Sequence, residues 1–146
     1  MERQQALDFN SKNIAEFRSS GGKLSSFADA PVLLLTTIGA KSGQRRTSPM
    51  MYLADNDDAN LVYVFASAAG KDTNPLWFAN IVAHPRDLAV EIGQDNVAAT
   101  AEVLPDPERG RVYDIQAARY PVFRGYKEMT TRPIPVVALH LDRHST

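Results

Sequence analysis

The chain has 146 residues, 44% of them apolar and 23% charged, with a formal net charge of −1 and no cysteine. A chain of this length is expected to build one core, burying roughly 68% of the surface its unfolded form exposes. Its composition excludes a disordered chain, its charge balance offers no general field for nucleic acid, and without thiols there is no disulfide framework, thiolate metal site or cysteine nucleophile.

The opening "MERQQALDFNSKNIAEF" lacks the apolar stretch of a signal peptide, and no run of about 18 apolar residues could span a bilayer. The expectation is a cytoplasmic protein, with membrane contact limited to a peripheral one. From Gln4 to Arg18, Leu7, Ile14 and Phe17 recur at spacings that predict an amphipathic helix, ended by Ser19, Ser20, Gly21 and Gly22. Packing on the protein's own surface is the commoner use of such a helix; docking at a membrane surface is also compatible. "PVLLLTT" then predicts a buried strand, and "SPMMYLAD" and "LVYVFAS" two more, separated by the turn "NDDAN". "NPLWFANIVAHP" predicts a short helix capped by Asn74, with Pro75 in the first turn and a stop at Pro85.

"DLAVEIG" and "VAATAEVL" flank "QDN" as a hairpin, with Leu88, Val90 and Ile92 alternating toward a buried face. Asp106 and Pro107 open a second helix with Val112, Ile115 and Ala118 along one side; Tyr120 to Arg132 is irregular or briefly helical, and "IPVVALHL" is a last strand. Some six strands, mostly joined as hairpins, argue against a doubly wound parallel sheet. The predicted class is α+β, mainly β: a single small antiparallel barrel over residues 1–146 with peripheral helices, residues 1–30 forming an N-terminal helix and loop extension.

Three stretches carry candidate chemistry. "TTIGAKSGQRRTSP" places Lys41, Arg45 and Arg46 among the hydroxyls of Thr36, Thr37, Ser42, Thr47 and Ser48, with Gly39 and Gly43 able to turn backbone amides toward an anion. It is neither a Walker loop nor a Rossmann fingerprint, and a solvated hairpin tip is the plain alternative. In "FASAAGKDTNPLWFAN" a strand ends at Ser67 and a helix begins near Asn74, so free amides and Lys71 face whatever sits there; a simple turn with Trp77 in the core is the alternative. In "RYPVFRGYKEMTTRPIP", Tyr120, Phe123 and Tyr126 recur every three residues and either line an aromatic pocket or pack a helix onto the barrel. His84, His140 and His144 are scattered and support no metal site, and no nucleophile elbow is present.

Together, "PVLLLTTIGAKSGQRRTSPM", "SAAGKDTNPLWFANIVAHP" and "YPVFRGYKEMTTRPIPVVAL" resemble the deazaflavin-dependent nitroreductase family, whose members use coenzyme F-420 on a split β-barrel; the resemblance runs from Ile14 to Leu141. It implies an enzyme that passes hydride from the reduced deazaflavin to a quinone, nitroaromatic or activated alkene such as an enone. On this resemblance Lys41, Ser42, Gly43 and Arg46 hold the phosphate and oligoglutamate tail, with Arg45 at a position where relatives vary. Pro49 and Met50 lie beneath the ring; Ser67, Ala68, Ala69, Gly70, Lys71, Asn74, Pro75, Trp77 and Asn80 form the second motif; Tyr120, Phe123 and Tyr126 stand over the substrate. Many relatives carry lysine and glycine in place of Ala68 and Ala69, and some carry tyrosine in place of Phe123. The proton that completes reduction comes from solvent, Ser67 or a tyrosine. Rival readings are an FMN enzyme on a similar barrel and a non-catalytic deazaflavin carrier; oligomeric state is not legible.

Overall fold

The computed structural model describes residues 3–27 and 30–143. His144 lies outside them, as does the side chain of Leu7. Strands β1 (Val32–Ile38), β2 (Arg45–Met51), β3 (Leu53–Ala54), β4 (Leu61–Phe65), β5 (Leu88–Ile92), β6 (Asp95–Val103) and β7 (Val136–Leu141) make one sheet in the order β2-β1-β5-β6-β7-β4-β3. All its pairings are antiparallel. Helices α1 (Arg3–Ser20), α2 (Leu76–Ala83), α3 (Glu108–Arg119) and α4 (Pro121–Met129) pack around it.

The expected antiparallel barrel is present, with seven strands among the described residues rather than six. "SPMMYLAD" does not run as one strand. Tyr52 leaves the ladder and donates its N–H to the Pro31 carbonyl (3.2 Å), so β2 ends on one edge of the sheet and β3 starts on the other. Two trans peptide steps, at 3.8 Å each, hold the Cα atoms of Met51 and Leu53 within about 7.6 Å. The edges therefore meet, and the sheet curls until β2 contacts β4.

β1 is buried on both faces, which explains its unbroken apolar run. Leu33 and Leu35 point inward among Val62, Val64, Val90, Val137 and Leu139. Val32 and Leu34 point outward and are covered by Phe17, Leu24, Ile14 and Phe27. The amphipathic first helix thus spends its described apolar face on the barrel. Arg18 anchors it with a fork to Glu91, both bonds 2.9 Å. Behind it, Gly22 (φ +110°) lies so close to the β5–β6 turn that a Cβ would fall 2.7 Å from Gly93 Cα.

On the far side, α3 and α4 cover Tyr63, Phe65, Val136 and Ala138. The buried stripe of α3 is Val112, Tyr113, Gln116 and Ala117, while Ala118 is exposed, so the predicted phase was displaced. Tyr113 and Gln116 each pair an apolar body with a polar tip, which hid the true face from a count of apolar residues. Asp106 does not cap α3; its carboxylate accepts from Arg109 Nε (2.9 Å) and Pro107 takes the cap position. The segment after Tyr120 resolves into α4, with proline in its first turn, followed by an irregular stretch.

Gln116 is fully buried with no partner for either amide atom among the described residues. Replacing both stranded groups by an apolar side chain of similar shape is expected to be neutral or stabilising by about 1 kcal/mol. A Gln116→Met variant should therefore unfold in urea at or above the wild-type midpoint; a clear loss would show that the amide has a partner such as an internal water.

Burial, reinforced at Tyr63 by a hydrogen bond to Asp55 (2.8 Å), pushes the phenols of Tyr63 and Tyr113 from 10.0 up to about 12. A folded-state pKa above the unfolded one stabilises fully below the unfolded value and is lost as pH rises through the folded value. Stability should thus fall between pH 10 and about 12. Urea titrations should show a shallower fall in a Tyr63→Phe, Tyr113→Phe variant, and equal slopes would exclude these groups as the cause.

Candidate functional site

The β1–β2 loop is a built structure. Gly39 N–H donates to Gln44 O (2.8 Å), Gly43 N–H to Gly39 O (2.9 Å) and Gln44 N–H to Ser42 Oγ (3.2 Å). Gly43 has φ +70°, and a Cβ on Gly39 would fall 2.4 Å from Ser42 Oγ. The loop is fixed from outside by Asn80 of α2, whose Oδ1 accepts from Ala40 N–H (2.9 Å) and whose Nδ2 donates to Thr37 Oγ1 (3.0 Å). Asn80 is 9% exposed and Thr37 1%, so this bridge is shielded from water. Thr36 and Thr47 join hydroxyls across the strands (2.7 Å), which spends two of the loop's candidate donors on one another.

Lys41, Arg45 and Arg46 are exposed and form no ion pair with a described residue. Strand alternation divides the arginines between faces. Arg46 lies opposite Thr37 and shares a face with Ser48 and Met50, and Met50 packs on the barrel core. Arg45, opposite Ile38, shares the other face with Thr47 and Pro49.

Beyond β4 the backbone enters a left-handed turn at Ala68 (φ +46°), Ala69 (φ +54°) and Gly70 (φ +82°). Alanine in this region costs roughly 1–2 kcal/mol per residue, so the surroundings must hold it. Two groups do. A Cβ on Gly70 would lie 2.9 Å from Met129 Sδ, so α4 sits directly on the turn. Arg132 donates from Nε to Lys71 O (2.9 Å), from Nη1 to Asn74 Oδ1 (2.8 Å), and from Nη2 to Ala66 O (3.2 Å) and Ser67 O (3.1 Å). Thr130 adds a bond to Asp72 (2.9 Å). Asn74, expected to cap the helix, is thus held by Arg132, and Pro75 occupies the cap position of α2. Lys71 is exposed and pairs with no described carboxylate.

The aromatic set divides. Phe123 is 6% exposed and stacks edge-on with Phe65 (5.5 Å), Tyr113 (6.2 Å) and Tyr126 (5.4 Å). Tyr120 and Tyr126 remain half-buried beside it. Trp77 packs partly against the barrel core, edge-on to Phe78. Tyr113 is no acid for this site: its proton goes to the Phe123 carbonyl and burial keeps the phenol protonated.

A cleft of about 290 Å³ lies between α3, the end of α4 and the segment after it, lined by Arg109, Lys127 and Arg132 among others. Its cations are already engaged, Arg109 by Asp106 and the Ile134 carbonyl, Lys127 by Asp114. The tertiary fold thus connects the three sequence stretches in a chain, the first to the second through Asn80 and the second to the third through Arg132. Arg132 was not legible as a site residue, because nothing local in "TTRPIP" indicates which carbonyls it meets.

Residues 11–140 match the F420H(2)-dependent quinone reductase family. The chain is 34% identical to an F420H(2)-dependent quinone reductase of Mycobacterium tuberculosis, across 95% of this chain and 94% of that protein. Its fold is similar to the solved F420-H2 dependent reductase FDR-A, with a TM-score of 0.65 and 33% identity over 75% of this chain and 93% of the other. A second solved relative, a domain-swapped dimer, has a TM-score of 0.67 and 29% identity over 94% and 99% of the two chains.

Removing the Asn80 amide strands the Ala40 N–H and Thr37 hydroxyl, at a cost of roughly 1–3 kcal/mol. Asn80→Ala should lose that much in urea denaturation. Asn80→Asp keeps the acceptor for the Ala40 N–H and lets the Thr37 hydroxyl turn to donate to the second carboxylate oxygen, so it should lose less; equal losses would show that packing, not hydrogen bonding, holds the loop.

Proposed function

The chain belongs to the F420H(2)-dependent quinone reductase family, and from that membership we propose that it binds reduced coenzyme F-420 and transfers hydride to a quinone. The observation that carries the reading is that the exposed Lys41, Arg46 and Lys71, none ion-paired with a described residue, lie on or beside stretches held in place by buried or charge-assisted hydrogen bonds. Unpaired cations on a fixed backbone fit a ligand with a phosphate and carboxylate tail.

In this reading Lys41, Ser42, Gly43 and Arg46 hold the anionic tail, with Arg45 on the opposite face of β2 reaching only what wraps the strand edge. Pro49, Met50, Trp77 and the Ser67–Lys71 turn border the ring, and Asn74 and Pro75 fix the course of the chain into α2. Bound there, the reduced deazaflavin supplies the hydride, which is why the protein needs no catalytic triad of its own. The protein's part is to bind, orient and shield. Phe123 supports the substrate side from within the core, while Tyr120 and Tyr126 offer half-buried phenols to a flat acceptor. Ser67, Tyr120 and Tyr126 are the side chains available to deliver the proton. Nitroaromatics and enones accept hydride by the same geometry and are proposed as further acceptors.

Fluorescence titration with F-420 and, in parallel, FMN tests the reading. Preferential, salt-sensitive binding of F-420 is expected, followed by quinone reduction. Lys41→Ala combined with Arg46→Ala should weaken binding about tenfold or more, two charge-assisted contacts being lost. Unchanged affinity in the double variant would remove the anion site.

A further inference from the structure

Arg132 directs four side-chain hydrogen bonds at a single segment, three of them to the carbonyls of Ala66, Ser67 and Lys71. In a trans peptide the C=O and the N–H of the next residue point in opposite directions. Among the described residues the Asp106–Pro107 bond alone is cis, so this rule governs the whole segment. Drawing those three carbonyls toward one guanidinium therefore turns the N–H groups of Ser67, Ala68 and Asp72 away from it. None of these amides has a partner among the described residues. Ser67 and Ala68 lie where the backbone begins its left-handed turn, an arrangement whose consecutive amides suit an anionic oxygen.

We propose that Arg132 is a positioning residue: through the Ala66, Ser67 and Lys71 carbonyls it gathers, it fixes the turn after β4 so that the consecutive Ser67 and Ala68 amides face away from it as donors to an oxygen of the cofactor. The inference rests on the cofactor reading above and adds to it a residue that touches no ligand. Lysine cannot substitute. Its ammonium is a compact donor that cannot span four acceptors at the bond lengths seen here, from 2.8 to 3.2 Å, whereas the planar fork can. Alanines at 68 and 69, where glycine would adopt the turn freely, increase the dependence on this clamp.

Arg132→Lys and Arg132→Ala in the full chain test it with two readouts. Without cofactor, hydrogen exchange at the bonded amides of Ala66, Gly70 and Lys71 should accelerate about tenfold or more in both variants; exchange at the wild-type rate would overturn the clamp. With F-420, both should bind about tenfold more weakly while circular dichroism stays native. Added guanidinium ion should restore part of the affinity of Arg132→Ala, and none of that of the Lys41→Ala, Arg46→Ala variant. Wild-type affinity in a folded variant would overturn the positioning role; if Arg132→Ala does not fold, Arg132→Lys decides. A wild-type protein that binds no F-420 would overturn the cofactor reading, while the exchange measurement would still decide what Arg132 does to the backbone.

Discussion

The single residue between β2 and β3 constrains everything else. Those strands occupy opposite edges of the sheet, and one residue, Tyr52, must carry the chain from one to the other. A flat sheet of this order would place its edges some six strand spacings apart, about 29 Å at 4.8 Å each, far beyond the reach of two peptide steps. Only a curled sheet satisfies the covalent connection. Curling creates an inside, filled by Leu33, Leu35, Val64, Val90, Val137 and Leu139, and an outside, which α1, α3 and α4 cover. β4 then runs back past β2, so that the strand carrying Arg46 and the strand leading into Ser67 are neighbours.

On that barrel, polar side chains settle the local geometry. Asn80 reaches from α2 to the loop after β1, and Arg132 reaches from the irregular segment before β7 to the turn after β4. Both are satisfied polar groups; Asn80 sits in surroundings shielded from water, where an unmade hydrogen bond costs more than a made one returns, and half-buried Arg132 holds its carbonyls by charge-assisted bonds. Such groups specify position more than they add stability. The same economy appears in the charges. Arg18, Arg109, Arg111, Lys127 and Arg143 each find a carboxylate, whereas Lys41, Arg45, Arg46 and Lys71, like Lys12, Lys23, Arg86, Arg119 and Arg124, find none among the described residues. Exposed ion pairs are worth little for stability, so the contrast matters for what the surface can attract rather than for how the protein folds.

The aromatic stretch shows how one periodicity can serve two ends. Its spacing of three brings Phe123 and Tyr126 into edge-on contact as expected. Yet Phe123 is drawn inward by Tyr113 of the preceding helix and by Phe65 of β4, which is remote in sequence. Packing and pocket were offered as alternatives at the level of sequence. In the fold Phe123 serves the first, leaving Tyr120 and Tyr126 at the margin.

What the sequence alone determined is what short-range physics dictates: a run such as "PVLLLTT" must be buried, alternation at Leu88, Val90 and Ile92 must make a strand, and cations clustered around two glycines must form an exposed turn. Those rules, with three stretches that resemble one family, were enough for the antiparallel barrel and the candidate anion loop. They failed wherever a side chain's partner lay far along the chain. Asn74 has the chemistry of a helix cap but is held by Arg132, and "SPMMYLAD" breaks at Tyr52 because the barrel must close there. Tertiary structure decided these cases because a hydrogen bond is indifferent to sequence separation: a guanidinium 65 residues away competes for the Ser67 carbonyl on equal terms with its neighbours.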